Sequence, residues 1–254
     1  MPITTNHSNF KQPQNIHSPV WRYMSLAKFL SLLHTQSIFL SRVDLLDDPF
    51  EGSSTNMNIT LRQELYKDKI PPDQLEKFSQ YFKHFRRWSY VNCWHLSTTE
   101  SSAMWKLYGS IDGAVAIQST YNALVNAVDV EGLGSKSCYI GMVEYISEEH
   151  FVTEGNSLGR FMVKRNSFEH EKEVRILLQK VPEICVDGKK SVDIFSDNPL
   201  RGISLPVNLK ALIQKIYISP LTGKWFFESV EDLLRRYDLD MPIEFSMFAQ
   251  EPVY

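Results

Sequence analysis

Residues 171–178 alternate between polar and apolar side chains, which is the pattern of a β-strand. One face of this strand is apolar and carries Val174, Ile176 and Leu178. The opposite face is ionisable and carries Glu171, Glu173 and Arg175, with Glu169 if the strand starts earlier. When the apolar face packs on a core, the ionisable face becomes either a solvated sheet surface or the wall of a polar cleft. The functional interpretation of the chain depends on which of the two it is.

The rest of the chain shows helical and extended patterns in irregular order. Ser25 is predicted to cap a helix over 26–33, because apolar residues recur there at helical spacing. Similar stripes predict helices at 58–88 (broken at Pro71-Pro72), 104–108, 121–128, 156–167 and 225–237. Strands are predicted at 20–23, 37–43, 90–96, 114–118, 138–146, 203–207, 213–219 and 243–248. Strict β-α-β alternation is missing, which favours an α+β fold over a doubly wound sheet.

The chain is therefore predicted to form a single α+β domain over residues 19–254. We expect a core made of a mixed or antiparallel sheet flanked by helices. A chain of 254 residues that is 43% hydrophobic can bury a substantial core, and no Gly-, Ser- or Pro-rich linker divides it. Residues 1–18 are polar and contain Pro2 and Pro13, so a flexible N-terminal tail is predicted there.

Charge and cysteine usage narrow the class of protein. The formal net charge is -3 and the sequence shows no basic stripe, so nucleic acid is not an expected partner. The three cysteines are far apart and odd in number, which indicates a reducing compartment and a cytoplasmic, bacterial-type protein. No Cys-x-x-Cys or His-Glu-x-x-His spacing occurs, and we predict no metal site. No run of about 18 apolar residues occurs, so no membrane association is expected.

Hydroxyl side chains cluster between the strand at 90–96 and the helix at 104–108. They are Ser97, Thr98, Thr99, Ser101 and Ser102. Free N–H groups at a helix N-terminus, together with such hydroxyls, can hold a phosphate or a ribose. The same residue types are common helix caps, so a purely structural role is equally open.

Aromatic residues lie on both sides of this hydroxyl cluster. Trp105 and Tyr108 follow it, and Trp94 and His95 precede it. These rings either offer stacking surfaces for a base or a nicotinamide, or they belong to the core, which is the commoner role at such spacing. Both interpretations remain open from the sequence.

The turn Asp47-Asp48-Pro49-Phe50-Glu51 is acidic and could supply oxygen ligands to a divalent cation. It lacks the regular spacing of a calcium loop, and Asp and Pro are ordinary turn residues, so the structural interpretation is preferred. One alternative hypothesis is a metal-dependent hydrolase or nuclease that uses Asp47, Asp48, Glu51 and Glu173 around magnesium.

Short segments spread over the chain carry a family resemblance. They are Trp21-Arg22-Tyr23, Ile38-Phe39-Leu40-Ser41, Asp47-Asp48-Pro49-Phe50-Glu51, Ser102-Ala103-Met104-Trp105-x-x-Tyr108, Glu171-Lys172-Glu173-Val174-Arg175-Ile176, Leu205-Pro206-Val207-Asn208-Leu209 and Ile216-Tyr217-Ile218-Ser219-Pro220. In this order they resemble the bacterial family catalogued as domain of unknown function 2971. Asp47 departs from the family, in which an Asn is more usual. The resemblance implies a shared fold and no particular activity.

A second resemblance concerns mechanism. Arg22, Ser97-Thr98-Thr99 and Glu171-Lys172-Glu173 follow one another along the chain. This order resembles ADP-ribosyltransferases of the Arg–Ser–Glu type, and it implies an ADP-ribosyltransferase-like fold. The resemblance implies that Arg22 grips the phosphates of NAD and that Ser97 orients the nicotinamide ribose. It further implies that Glu173 stabilises the oxocarbenium-like centre and that Glu171 positions the acceptor.

These observations lead to one hypothesis. A polar cleft between the Ser97 segment and the 171–178 strand binds a nucleotide-type ligand, with NAD as a substrate. The protein then transfers ADP-ribose to a macromolecular acceptor or hydrolyses the glycosidic bond, which would suit a toxin or a phage-defence effector. The predicted catalytic residues are Glu173 and Glu171, and the predicted ligand-binding residues are Arg22, Tyr23, Ser41, Ser97, Thr98, Trp105, Tyr108 and Arg175. The alternative is a non-catalytic ligand- or protein-binding module, in which the carboxylate strand is a solvated face.

Overall fold

A computed structural model of the chain describes residues 3–67, 69–109, 113–131, 138–147 and 157–250. Within these ranges the strands β1 to β13 are Pro19–Ser25, Ser37–Arg42, Ser89–Leu96, Ala114–Thr120, Cys138–Met142, Glu144–Ile146, Val163–Arg165, Glu173–Gln179, Glu183–Val186, Lys189–Val192, Gly202–Pro206, Lys215–Ile218 and Ile243–Phe245. The helices α1 to α7 are Leu26–Thr35, Asn56–Leu65, Pro72–Phe85, Ser102–Tyr108, Tyr121–Ala127, Leu209–Leu212 and Lys224–Arg236. None of the helices in the described ranges has the length and apolar character needed to cross a membrane.

Strand β3 is the centre of the main sheet and pairs along both of its edges. β8 pairs with one edge over nearly the whole length of β3, and β5 continues the sheet beyond β8. The other edge is shared between two strands. β2 pairs near the start of β3, through Arg42 and Tyr90, and β1 pairs near its end, through Trp21 and His95. The sheet therefore forks at β3, with β11 beyond β2 and with β4, β12 and β13 beyond β1.

The predicted α+β class with a mixed sheet is confirmed. β12 and β13 pair in parallel, whereas the other described pairs of the main sheet are antiparallel. The largest core cluster joins the apolar face of β8 to buried side chains of α1, α5 and α7, among them Leu33, Leu124 and Val230. A second core cluster lies on the opposite face of β8, where Leu177 packs in a group that includes Phe161. The alternation of this strand is thus real, and both of its faces are buried.

Local signals placed several helices correctly. The Ser25 hydroxyl caps α1 by accepting from the N–H of Lys28 at 3.4 Å, as predicted. The predicted break at Pro71-Pro72 separates α2 from α3, because proline is tolerated only in the first turn of a helix.

The predicted helix at 156–167 is wrong over the part that the structure describes, which begins at residue 157. A 3₁₀ turn at Gly159–Phe161 and strand β7 occupy this stretch. β7 pairs in parallel with β6, so tertiary pairing has overridden a weak local helical pattern. The strand predicted at 171–178 begins only at Glu173, since residues up to Glu171 form another 3₁₀ turn.

The N-terminal segment packs on the domain, although the sequence predicts a flexible tail there. Ile3 and Phe10 are buried, and Phe10 stacks on Tyr139 of β5 at 4.9 Å between ring centroids. The N–H of Met142 donates to the Lys11 carbonyl oxygen at 2.8 Å. The buried side chains of Ile3 and Phe10 and backbone hydrogen bonds therefore hold residues 3–11 along β5, and residues 16–18 bond to the start of α5.

Candidate active site

A gap opens between β1 and β3 beyond the Trp21–His95 pair. Arg22, the next residue of β1, places its guanidinium in this gap and donates from Nη1 to the Cys93 carbonyl oxygen at 2.6 Å. The carbonyl is available because β2 pairs with β3 only near the start of β3. The fork in the sheet therefore holds a cation beside the strand that pairs with Glu173.

The chain turns sharply before it enters β8. Glu171 ends a 3₁₀ turn, and Lys172 follows with φ of +40°, in the left-handed region. Residues at the end of β3 hold this turn through hydrogen bonds to its carbonyl oxygens. The Nδ1 atom of His95 lies 2.6 Å from the Glu171 carbonyl oxygen, and the N–H of Leu96 donates to the Lys172 carbonyl oxygen at 2.8 Å. Glu171 and Glu173 thus reach the site from two elements, rather than from one strand as predicted.

Three carboxylates and two cations form a buried network beside this turn. Arg175 contacts both oxygens of Glu173, from Nε at 2.6 Å and from Nη2 at 3.1 Å. The same guanidinium contacts both oxygens of Glu51 at 2.9 and 3.0 Å. The Nζ atom of Lys164 lies 2.6 Å from Glu171. It also lies 3.3 Å from Glu51 and 3.5 Å from Glu173, so the network has one carboxylate more than it has cations.

Glu173 keeps its charge despite burial. Burial alone would raise the pKa of Glu173, but the cations of Arg175 and Lys164, with a hydrogen bond from the Cys93 thiol, hold that pKa at about 2. Burial, and after it the Glu173 carboxylate, raises the pKa of Cys93, so Cys93 stays a thiol that donates rather than a thiolate. A carboxylate that is ionised at all physiological pH values can stabilise a positive charge. It is a poor general base, since the pKa of such a base should lie near the working pH.

Glu171 is the most exposed of the three carboxylates, and it faces α4. The Tyr108 hydroxyl donates to Oε1 of Glu171 at 3.1 Å, and 44% of Tyr108 remains exposed. Burial of the hydroxyl end, and then the Glu171 carboxylate, raises the pKa of Tyr108, so the hydroxyl keeps its proton. Tyr108 therefore connects the buried network to the surface of the molecule.

The Ser97 turn lies at the same end of the fork. The Trp21 indole N–H donates to the Ser97 carbonyl oxygen at 2.7 Å, which ties this turn to the residue before Arg22. The Ser97 hydroxyl donates to the Thr99 carbonyl oxygen at 2.8 Å and accepts from the Thr99 N–H at 3.2 Å. Thr98 is exposed. Ser97 is thus near the predicted cleft, with its hydroxyl engaged in a local turn.

Two predicted ligand contacts lie in the core. Trp105 is buried, its indole N–H donates to Glu100 at 3.0 Å, and its ring meets that of Tyr23 edge-on at 4.9 Å. The Tyr23 hydroxyl accepts from the N–H of Ser101 at 2.9 Å. Trp105 therefore lies in the core, as one of the two interpretations of the aromatic segment has it, and Tyr23 packs beside it, whereas Tyr108 offers an exposed ring.

Two further predicted ligand contacts are not placed to meet a ligand in the gap between β1 and β3. Ser41 pairs with Val91 and Gly202, on the other branch of the fork. Arg175 is fully buried and is bound to Glu51 and Glu173, so its position is that of a residue that holds carboxylates rather than one that contacts a ligand.

In the acidic turn at 47–51, Asp48 and Glu51 are buried, whereas Asp47 and Phe50 are exposed. Glu51 belongs to the buried network, and Asp48 accepts from Arg165 and from the Phe50 N–H, both at 3.0 Å. Cations of the protein thus neutralise the two buried carboxylates, Asp48 and Glu51, which agrees with the structural interpretation of the turn. Among the described residues, no group of three or more His, Cys, Asp or Glu side chains is arranged to hold a metal ion.

Sequence reasoning missed two residues of this network. Lys164 lies on β7, in a stretch predicted as a helix, and no local signal marks it. His95 was considered only as one of the aromatic residues beside the hydroxyl cluster. Cys93 and His95 lie at alternate positions of β3, opposite Arg175 and Glu173 respectively. The two-residue spacing of Cys93 and His95 was therefore the available signal that both side chains face the ionisable side of β8.

Comparison with known proteins gives only distant similarity. No protein-family model matches the chain, so the resemblance to domain of unknown function 2971 is not confirmed. No curated protein matches its sequence either. Three solved structures of DarT from Thermus sp. 2.9 are similar in overall arrangement.

The DarT complex with ADP-ribosylated ssDNA is 11% identical, with a TM-score of 0.39, and the match covers 94% of this chain and 97% of DarT. The complex with carba-NAD+ is 10% identical, with a TM-score of 0.39 and coverage of 93% and 97%. The complex with NAD+ is 10% identical, with a TM-score of 0.40 and coverage of 95% and 100%. Similarity at this level carries no weight for chemistry, so function has to be inferred from the side chains.

Proposed function

We propose that this protein uses NAD as a substrate and transfers its ADP-ribose moiety to an acceptor, or to water. One observation carries the proposal. At the fork between β1 and β3, a half-buried Arg22, the Ser97 turn, an exposed Tyr108 and two buried carboxylates, Glu171 and Glu173, lie at the same end of the sheet. These groups include those to which the resemblance to ADP-ribosyltransferases gives roles in cleaving NAD at a cationic ribose centre.

In the proposed reaction the bond between ribose C1′ and the nicotinamide nitrogen breaks. The electron pair of that bond leaves with nicotinamide, which becomes neutral, and positive charge develops on C1′ and the ring oxygen. Glu173 stabilises this charge, because a carboxylate interacts more strongly with the developing cation than with the ground state. A pKa of about 2 keeps Glu173 ionised for this role at any physiological pH.

The other groups are assigned by their charge and position. Arg22 binds the diphosphate of NAD, exchanging part of its contact with the Cys93 carbonyl for phosphate oxygens. Ser97 contacts the nicotinamide ribose, and the Tyr108 ring stacks on the ligand. Glu171 positions the acceptor nucleophile, which attacks C1′ and releases its proton to solvent.

We further propose a macromolecular acceptor and a role as a toxin or defence effector in the bacterial cytoplasm. The expectation from net charge that nucleic acid is not a partner finds no support. One of the DarT structures is a complex with ADP-ribosylated ssDNA, so DNA belongs among the acceptors to be tried.

A second candidate function is a non-catalytic binding module, and the saturation of the network favours it. Glu51 and Glu173 are each bound at both oxygens by Arg175, and all three side chains are buried. A self-satisfied buried ion network can serve to fix a unique packing without any chemistry. The two candidates differ in whether Glu173 affects a reaction.

Nicotinamide release from NAD tests the proposal. We would compare wild-type protein with Glu173→Gln and Glu171→Gln, with and without protein and single-stranded DNA acceptors. Gln keeps the shape of Glu and removes its charge, so Glu173→Gln is expected to lower turnover about 100-fold or more. Glu183→Gln is the control, because Glu183 is exposed on the β9–β10 ribbon and is expected to leave turnover unchanged.

Thermal unfolding of each variant separates loss of charge from loss of fold. Wild-type activity that disappears in a folded Glu173→Gln variant would support the proposal. Absence of nicotinamide release from wild-type protein with every acceptor would leave the binding module as the better account.

A further inference from the structure

The imidazole of His95 is fixed in one tautomer. Its Nδ1 atom lies 2.6 Å from the Glu171 carbonyl oxygen, and a carbonyl oxygen only accepts, so Nδ1 carries the proton and donates. Burial, and after it the nearby cation of Lys172, lowers the pKa of His95, although the bond to Glu171 opposes this. The side chain is 4% exposed and is neutral near pH 7.

The turn that His95 contacts is costly to form. Lys172 has a φ of +40°, a conformation that residues with a Cβ rarely adopt and that persists only when surrounding contacts impose it. Several hydrogen bonds surround it, among them one from the Lys172 N–H to the Glu169 carbonyl oxygen at 3.1 Å. Besides the bond from His95, the Leu96 N–H donates to the Lys172 carbonyl oxygen, and the Glu173 N–H donates to the Tyr145 hydroxyl, both at 2.8 Å.

This turn sets the positions of the Glu171 and Glu173 side chains relative to each other. On the N-terminal side of Lys172, Glu171 meets Lys164 and the exposed Tyr108. On the C-terminal side, Glu173 meets Arg175 and lies deeper. A change in the turn would shift one carboxylate relative to the other, while β8 itself would stay anchored by its pairing with β3 and β5.

We propose that His95 is a positioning residue for the Glu171–Glu173 pair: the Nδ1–H of His95 holds the Glu171 carbonyl and thereby fixes the left-handed turn at Lys172. Its effect on turnover rests on the proposed function, whereas its effect on the turn does not. Catalysis depends steeply on placement, and a misplacement of about 1 Å can lower a rate about 100-fold.

Two variants separate the hydrogen bond from the bulk of the ring. His95→Asn keeps a donor close to the position of Nδ1 and loses volume. His95→Leu keeps most of the volume and loses the donor. We expect His95→Asn to retain kcat for nicotinamide release within about threefold, and His95→Leu to lose about 10- to 100-fold in kcat with KM nearly unchanged.

Amide hydrogen exchange provides a readout that needs no activity. The amides of Leu96 and Glu173, which donate around the turn, are expected to exchange faster in His95→Leu and at the wild-type rate in His95→Asn. The amide of Ile176, in the middle of β8, is the internal reference and should not change in either variant.

The outcomes are distinct. If wild-type protein releases no nicotinamide, the proposed function fails and the exchange data alone decide the role of His95. Wild-type exchange and kcat in His95→Leu would overturn the proposal. Loss of kcat in His95→Asn as large as in His95→Leu, with wild-type exchange in His95→Asn, would also overturn it, because the ring itself would then take part.

Discussion

At the scale of single residues, the main feature is charge held in the interior. Glu51 and Glu173 are buried, and Arg175 satisfies both of them with paired hydrogen bonds. A buried carboxylate is tolerated only when a cation and hydrogen bonds replace its hydration. Removal of a buried carboxylate or of Arg175 is therefore expected to lower the free energy of unfolding far more than the loss of an exposed ion pair.

Replacement of Arg175 tests this directly. Arg175→Met keeps an unbranched apolar stem and leaves two buried carboxylates with Lys164 as their remaining cation. We expect the free energy of unfolding to fall by about 3–5 kcal/mol, as measured by urea denaturation at neutral pH. Lys190→Met, which breaks the exposed pair with Glu183, should change it by less than about 1 kcal/mol. A small effect of Arg175→Met would contradict the buried network.

The pH dependence of stability follows from the lowered pKa of Glu173. The pKa falls from an ordinary 4.5 to about 2 on folding, so the unfolded state binds the proton more tightly. The contribution of Glu173 to stability is fully present above pH 4.5 and is lost as the pH falls through about 2. The stability difference between wild-type protein and Glu173→Gln should therefore shrink by about 3 kcal/mol between pH 6 and pH 2. Parallel curves for the two proteins would contradict this.

At the scale of elements, a single left-handed residue separates two roles. The 3₁₀ turn before β8 carries Glu171, β8 carries Glu173, and Lys172 joins them at a φ of +40°. A side chain with a Cβ is strained in this conformation, whereas glycine adopts it freely.

Lys172→Gly should therefore stabilise the protein. Relief of strain outweighs the extra flexibility of glycine in the unfolded chain, and we expect a gain of about 0.5–1 kcal/mol in thermal or urea unfolding. Lys180→Gly is the matched control, because Lys180 is exposed just after β8 and does not have a positive φ. It should lower stability slightly. Destabilisation by both substitutions would show that the turn at Lys172 is not left-handed in solution.

Local sequence signals predicted those elements whose stability is local. The Ser25 cap, the prolines before α3 and the alternation in β8 each have a local physical cause, and each prediction holds. The β9–β10 hairpin was missed although it carries a signal, since Asp187-Gly188 supplies the two positive φ values that a tight hairpin turn needs. The helix predicted at 156–167 was wrong because no strong local signal supported it. Strand β7 lies there instead, paired with β6.

At the scale of the whole molecule, long-range pairing creates the site. The fork at β3, the approach of Lys164 from β7 and the position of Glu51 after β2 all depend on contacts between distant parts of the chain. Sequence alone could therefore indicate Glu171, Glu173 and Arg22 as candidates. It could not show that Arg175 would bind two carboxylates, or that a lysine would complete the network.

The packing of the N-terminal segment can be tested at Phe10. This side chain is buried against β5, where Gly141 allows the backbone of Phe10 to approach closely. Phe10→Ala is expected to lower the free energy of unfolding by about 3–4 kcal/mol in urea denaturation. Ile16→Ala, at an exposed position of the same segment, should have an effect below about 0.5 kcal/mol. Equal and small effects of the two substitutions would support a flexible tail over residues 1–18.

A crystal structure with carba-NAD+ would test the central claim most directly, since it locates the ligand without turnover. The account predicts a ligand in the fork between β1 and β3. Its diphosphate would lie on Arg22, its nicotinamide ribose would lie between Ser97 and Glu173, and Tyr108 would stack on the ligand. A ligand bound away from this fork, or no binding at millimolar concentration, would contradict the assignment of the site.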